Sequence, residues 1–188
     1  SEGHMFYVYY AKDGVVDKSK RPVWFLFNGG PGAATIWLHM GAFGPKVVKM
    51  QPDGLATPPP YTYVDNPYCL LDTGDLVFID AMGTGYSRPD KPGYGPYFGG
   101  VENDLAAFTE FIRSFLNTFN LWGSPLFVGG ESYGTTRAAG LAGTQNALAH
   151  TVRSLRDSGS ALCKPRPHEG FANPASPASP PPHPPKAS

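Results

Sequence analysis

Three short apolar runs recur along the chain, and each is closed by glycine. Arg21-Pro-Val-Trp-Phe-Leu-Phe-Asn28 runs into Asn28-Gly-Gly-Pro-Gly32, and Asp75-Leu-Val-Phe-Ile-Asp80 into Ala81-Met-Gly-Thr-Gly85. The third, Pro125-Leu-Phe-Val-Gly-Gly130, is closed by Glu131-Ser132. A continuous apolar stretch of this length, bounded by a Gly-rich turn, reads as a buried parallel strand entering a tight loop. Met5-Phe-Tyr-Val-Tyr-Tyr10 is also strand-like. Between the second and third runs, apolar residues at 101, 105, 108, 111, 112, 115, 116 and 119 are spaced by three or four, predicting an amphipathic helix over 101–122. A second helix is predicted over 135–148. Strand, helix, strand, helix is the alternation of an α/β fold, a mostly parallel sheet with flanking helices. Residues 44–67, with Pro45, Pro52, Pro58-Pro-Pro60 and Pro67, and residues 89–100 read as surface loops.

Composition divides the chain in two. Of its 25 aromatic residues (12 Phe, 10 Tyr, 3 Trp) only Phe171 lies beyond position 150. Residues 1–149 are therefore the expected globular portion, and residues 150–188 a Pro/Ser/Ala-rich tail that needs no core, for which no docking partner is expected. The charge balance, 15 Lys+Arg against 15 Asp+Glu in 188 residues, argues against a general nucleic-acid or membrane-surface binder. Cys69 and Cys163 stand on opposite sides of the composition boundary and suggest neither a disulfide framework nor a zinc site. No apolar run approaches the roughly 18 residues of a bilayer span. The start, Ser-Glu-Gly-His-Met-Phe, is not that of a signal peptide, and the chain reads as a processed one or a piece of a longer one.

Chemistry enters at Gly130-Glu-Ser-Tyr-Gly134, which has the form G-x-S-x-G. The pentapeptide alone is weak evidence. A predicted strand before it and helix behind it supply the context of a nucleophile elbow, in which glycines permit close backbone packing and the helix N-terminus faces a developing oxyanion. Asn28-Gly-Gly-Pro-Gly32, at the end of another strand, can supply a second backbone donor. Taken alone, that loop reads equally well as a tight turn after a strand.

Asn28-Gly-Gly-Pro-Gly32, Asn66-Pro-Tyr68, Gly83-Thr-Gly-Tyr-Ser87 and Gly130-Glu-Ser-Tyr-Gly134 occur in the order seen in serine carboxypeptidases. The chain resembles the N-terminal half of that family over residues 5–143. Through Trp37-Leu-His-Met-Gly-Ala-Phe-Gly-Pro45 and the run from Glu131 to Gly143 it is most similar to the bacterial branch. The resemblance implies a partial α/β-hydrolase fold lacking the C-terminal strands. It implies Ser132 as nucleophile, with the backbone N–H groups of Gly30 and Tyr133 as the oxyanion hole. Asn28, Gly29 and Glu131 would bind the substrate, Asn28 and Glu131 taking its C-terminal carboxylate. Because two anions repel, Glu131 must then be protonated, and acidic pH is favoured. Read without the resemblance, Glu131 could simply hydrogen-bond nearby backbone.

The chain departs from the family's eukaryotic members at three places. Where they carry a Glu that pairs with the elbow Glu, it has Ala42; after GGPG it has Ala33 in place of Cys; and two residues before the Asn it has Leu26 in place of the common Trp. The family's catalytic Asp and His lie on later strands. Downstream of Ser132 only Asp157 with His168 or His183 meets the order formally, and a Pro-rich tail offers such a triad no rigid support. His150 reads as a helix-end residue and His39 as a core or loop residue.

The expected function is thus a serine-type carboxypeptidase by resemblance, acting on peptides with a free C-terminus through an acyl-enzyme on Ser132, with nucleic-acid and membrane partners excluded. The alternatives are a non-catalytic module for C-terminal carboxylates, and an esterase or acyltransferase of the same fold. Gly83-Thr-Gly-Tyr-Ser-Arg88 lacks the third glycine of a dinucleotide loop and the histidines lack ligand spacing, so neither cofactor nor metal is expected. The compartment is open; the resemblance alone suggests an exported or periplasmic protein.

Overall fold

The structure, a computed structural model, describes residues 3–93 and 95–143. Its strands in chain order are β1 (Gly3–His4), β2 (Tyr7–Tyr10), β3 (Val23–Phe27), β4 (Lys46–Val48), β5 (Tyr63–Asp65), β6 (Asp75–Ile79), β7 (Arg88–Pro89) and β8 (Leu126–Gly130). The helices are α1 (Ile36–Leu38), which runs directly into a wide π turn at His39–Phe43, α2 (Val101–Phe119) and α3 (Tyr133–Gly143). The main sheet has the order β2-β6-β3-β8. β3 pairs in parallel with β6 on one side and β8 on the other, while β2 runs antiparallel along the β6 edge. All three apolar runs of the sequence are strands of this sheet, and it is an α/β architecture.

Alternation along the central strands sorts side chains between two faces. Val23, Phe25, Phe27, Val77, Ile79 and Leu126 pack with Phe108, Ile112, Phe115 and Leu116 of α2. Leu26, Leu76 and Phe78 point the other way, against Leu38, Phe43, Leu70 and Leu71. A fully buried Phe such as Phe25 or Phe108 contributes on the order of 1.5–3 kcal/mol. Tyr7 and Tyr9 of β2 extend the first face, meeting Phe115 edge-on with ring centroids 5.5 and 5.1 Å away.

α2 follows the predicted periodicity but stops at Phe119, because Asn120 takes a left-handed φ of 54° and its N–H closes on the Leu116 and Asn117 carbonyls. α3 starts two residues before the predicted position, and the remainder of the predicted 135–148 helix lies outside the described residues. So do the 150–188 tail, Cys163, Asp157, His150, His168 and His183.

One expectation is corrected. The expected loop at 44–67 contains an antiparallel hairpin in which β4 pairs with β5, Val47 opposite Val64. Pro45 and Pro67 lie outside the two strands and Pro52 and Pro58-Pro-Pro60 in the connection between them, so the paired stretches themselves hold β-branched and aromatic residues that favour pairing. Asn66 closes its base: the side-chain amide donates to the carbonyls of Ala42 (2.7 Å) and Gly44 (2.8 Å), and its Oδ1 accepts from Tyr68 N–H (2.9 Å). The Asn-Pro-Tyr motif is thus a fastening for the hairpin.

At the opposite end of the sheet Asp75, fully buried, accepts from Arg21 Nε (2.7 Å), Lys12 N–H (3.1 Å) and the Tyr9 hydroxyl (3.1 Å). It ties the start of β6 to the segments flanking β2 and β3.

Candidate active site

Because β3 lies between β6 and β8 and all three run parallel, their C-terminal ends open on one edge, at the point where the chain's connections diverge. Ligands of open α/β sheets bind at such switch points. The residues that follow these strands are Asn28, Asp80 and Glu131-Ser132.

Ser132 separates β8 from α3 and holds a left-handed φ of 57°. A non-glycine residue there costs about 1–2 kcal/mol and is a mark of a constrained turn. The turn is fixed by bonds from Gly134 N–H to the Glu131 carbonyl and from Thr135 N–H to the Ser132 carbonyl, each 2.9 Å. A Cβ on Gly130 would collide with the backbone of Gly134, so this turn accepts no side chain there. Strand, left-handed serine and immediate helix start make the geometry of a nucleophile elbow. Ser132 and Glu131 are both exposed.

The loop after β3 lies against this turn. A Cβ on Gly29 would stand 2.5 Å from the Tyr133 nitrogen, the Gly134 nitrogen and the Glu131 carbonyl oxygen. Asn28 donates from Nδ2 to Glu131 Oε2 at 2.7 Å, across 103 residues of sequence. The Glu131 carboxylate therefore engages a side chain, rather than the nearby backbone. The backbone N–H groups of Gly30 and Tyr133 have no hydrogen-bond partner among the described residues. Of the six residues expected at the site, Asn28, Gly29, Glu131, Ser132 and Tyr133 meet at one place, with Gly30 following directly in the exposed turn.

Four residues outside that expectation hold the arrangement. Asn28 is 4% exposed, and its Oδ1 accepts from Leu38 N–H at 3.0 Å while its own N–H donates to the Thr35 hydroxyl at 3.1 Å. Thr35 donates onward to the Ile79 carbonyl. Its N–H reaches Asp80 Oδ1 at 2.7 Å. Asp80 Oδ2 in turn accepts from Tyr86 N–H at 3.1 Å, and Gly85, at φ 49°, leaves room where a Cβ would collide with that carboxylate. The Gly83-Thr-Gly-Tyr-Ser87 segment is thus a turn wrapped around Asp80, completed by Ser87 Oγ donating to the Asp80 carbonyl (2.8 Å).

On the other face Arg137 of α3, 2% exposed, grips Asp104 of α2 through Nε (2.8 Å) and Nη2 (3.2 Å) and donates from Nη1 to the Asn28 carbonyl (2.8 Å). Its guanidinium carbon stands 4.4 Å from the Phe108 ring centre, 5.2 Å from Phe27 and 5.3 Å from Tyr133. Removing one partner of such a buried pair costs about 3–5 kcal/mol. In sequence, Asp104 occupies a helix position surrounded by apolar ones, and only its burial betrays the partner.

The two described histidines are engaged elsewhere. His39 Nε2 and the Tyr10 hydroxyl are 2.7 Å apart, and its ring lies over Phe78 at 4.6 Å. Burial holds its pKa below the ordinary value, with the Asp80 charge opposing. His4, on the surface, faces Asp90 at 3.0 Å. Ala42, in the π turn, brings no carboxyl towards Glu131, and Ala33 gives its N–H to the Gly29 carbonyl at 3.1 Å.

The sheet order and the elbow define a hydrolase-type α/β protein. Residues 1–144 match the serine carboxypeptidase family, peptidase S10, and the chain belongs to it. It is 30% identical over 131 residues to a carboxypeptidase Y homolog of Arthroderma benhamiae, which covers 69% of this chain and 23% of that protein. To serine carboxypeptidase-like 36 of Arabidopsis thaliana it is 26% identical over 133 residues, covering 68% and 25%. Its fold is similar to that of a prohormone-processing carboxypeptidase from Saccharomyces cerevisiae, with a TM-score of 0.60, 24% identity, and coverage of 78% of this chain and 30% of that one. The chain thus spans about a quarter of the length of these curated relatives.

Proposed function

We propose that this chain carries the nucleophile and the carboxylate-binding half of a serine carboxypeptidase site. Ser132 Oγ is the group that would attack the carbonyl carbon of the last peptide bond, its proton passing to a general base from outside the described residues and from there to the departing amine. The N–H groups of Gly30 and Tyr133 would receive the oxyanion, and Asn28 and Glu131, with Gly29 allowing close approach, hold the free C-terminal carboxylate. The observation that carries the reading is the 2.7 Å bond from Asn28 to Glu131 beside a serine at φ 57°. Two polar groups from different strand ends converge beside Ser132, Glu131 being its immediate neighbour in sequence. The Asn28 amide, held against Glu131, offers N–H donors to an anion.

The test is binding and hydrolysis of a peptide with a free C-terminus against the same peptide amidated, together with fluorophosphonate labelling. Rejection of the amidated peptide is expected, and any labelling is expected at Ser132 alone and lost in Ser132→Ala. A folded chain that binds both peptides equally overturns the carboxylate assignment. A second reading is a binding module without turnover, in which Asn28 and Glu131 alone carry recognition. In that case peptide binding survives Ser132→Ala, disappears in Glu131→Ala, and no labelling occurs.

A further inference from the structure

We propose that Arg137 is the positioning residue of this site: it fixes the Asn28 peptide, and with it the Gly29-Gly30 loop, against the Ser132 turn, while Asp104 aims its guanidinium. Two contacts would suffice for a structural ion pair, and Arg137 makes those with Nε and Nη2. The third, from Nη1 to the Asn28 carbonyl, leaves the pair and reaches the residue whose side chain holds Glu131.

Asn28 is fastened from every direction. Its N–H is held by Thr35, its Oδ1 by Leu38, its Nδ2 by Glu131 and its carbonyl by Arg137. Arg137 is the link that comes from the helix following Ser132, so it couples the nucleophile's own element to the opposing loop. Phe108 and Tyr133 flank the planar guanidinium, and the fork geometry fixes the direction of its third donor. A lysine, a single point of charge, cannot reproduce all three bonds.

The consequence for carboxylate binding rests on the function proposed above; the positioning itself does not. The test replaces both charges at once, Arg137→Met with Asp104→Leu. Exchanging a buried ion pair for apolar residues of similar volume commonly leaves stability unchanged or raised, so the fold is kept while the Asn28 carbonyl loses its donor. The expected result is a urea midpoint near that of the wild type, with at least about tenfold faster hydrogen exchange at the Leu38 amide, displaced Asn28 side-chain amide resonances and about tenfold weaker binding of a free-C-terminus peptide. A folded double variant with wild-type Leu38 exchange and Asn28 resonances overturns the proposal, since a merely structural pair is restored together with stability. Should the double variant not fold, Arg137→Lys is read by the same exchange and resonance criteria. If the wild type itself binds no such peptide, the proposed function fails, and the Leu38 and Asn28 signals still decide the role of Arg137.

Discussion

Gly29→Ala adds one methyl group at the narrowest point of the molecule. Gly29 needs no left-handed φ, so the backbone conformation suits alanine and packing alone resists the change. The new Cβ would lie 2.5 Å from three backbone atoms of the Ser132 turn, and ordinary contact begins at 3.4 Å. A rotamer change relieves nothing, because all three neighbours are main chain. The loop and the turn must separate by about 0.9 Å, the difference of those two distances. Moved rigidly, the 2.7 Å Asn28–Glu131 bond would stretch to about 3.6 Å, beyond hydrogen-bond range. Overpacking of this kind costs about 1–3 kcal/mol. Urea unfolding should show that loss, and titration with a free-C-terminus peptide should show binding abolished. Gly41→Ala, where nothing lies within 4 Å, serves as control and is expected to stay within about 0.5 kcal/mol of the wild type. A Gly29→Ala protein with an unchanged urea midpoint and unchanged peptide affinity would refute the contact between loop and turn.

Ser132→Gly is expected to stabilise the fold by about 0.5–1 kcal/mol, since relief of about 1–2 kcal/mol at φ 57° exceeds the entropic cost of glycine, about 0.5–1 kcal/mol. Ser132→Ala keeps the conformation, so its urea midpoint should match the wild type; equal midpoints for Gly and Ala would show that Ser132 is not constrained. Tyr9 has its pKa raised to about 12, first by burial and then by the charge of Asp75. The folded chain therefore keeps this proton while an unfolded tyrosine loses it near 10, so stability is full below about pH 10 and declines as pH rises towards 12. With solvent screening of a half-exposed group the loss is about 1 kcal/mol. Tyr9→Phe should lack that component in urea titrations from pH 9 to 12, and identical profiles would contradict it.

The elements that sequence made legible are those whose signal is local. Three apolar runs ending in glycine were enough to give β3, β6 and β8, and the three-four spacing gave α2, because burial on one or both faces is written directly into composition. The elbow and the Asn28 loop were legible for the same reason, as glycine clusters at strand ends. What escaped was long-range and polar. Arg137 and Asp104 are 33 residues apart and Thr35 and Asp80 are 45 apart, and nothing in the local sequence of either member names its partner. The hairpin of β4 and β5 was hidden by prolines that lie in its connection and just outside its strands, never within the paired residues.

The 103-position separation of Asn28 and Glu131 makes the site a product of folding as a whole. Closing a loop of that size costs on the order of 4 kcal/mol of chain entropy, which no contact within either loop repays before β3 and β8 are paired. A ligand that spans Asn28 and Glu131 bridges the same two strand ends and so acts as an external staple on that pairing. Occupancy and folding then share one equilibrium, and a free C-terminal peptide would protect the chain from unfolding and proteolysis in proportion to its concentration over its dissociation constant.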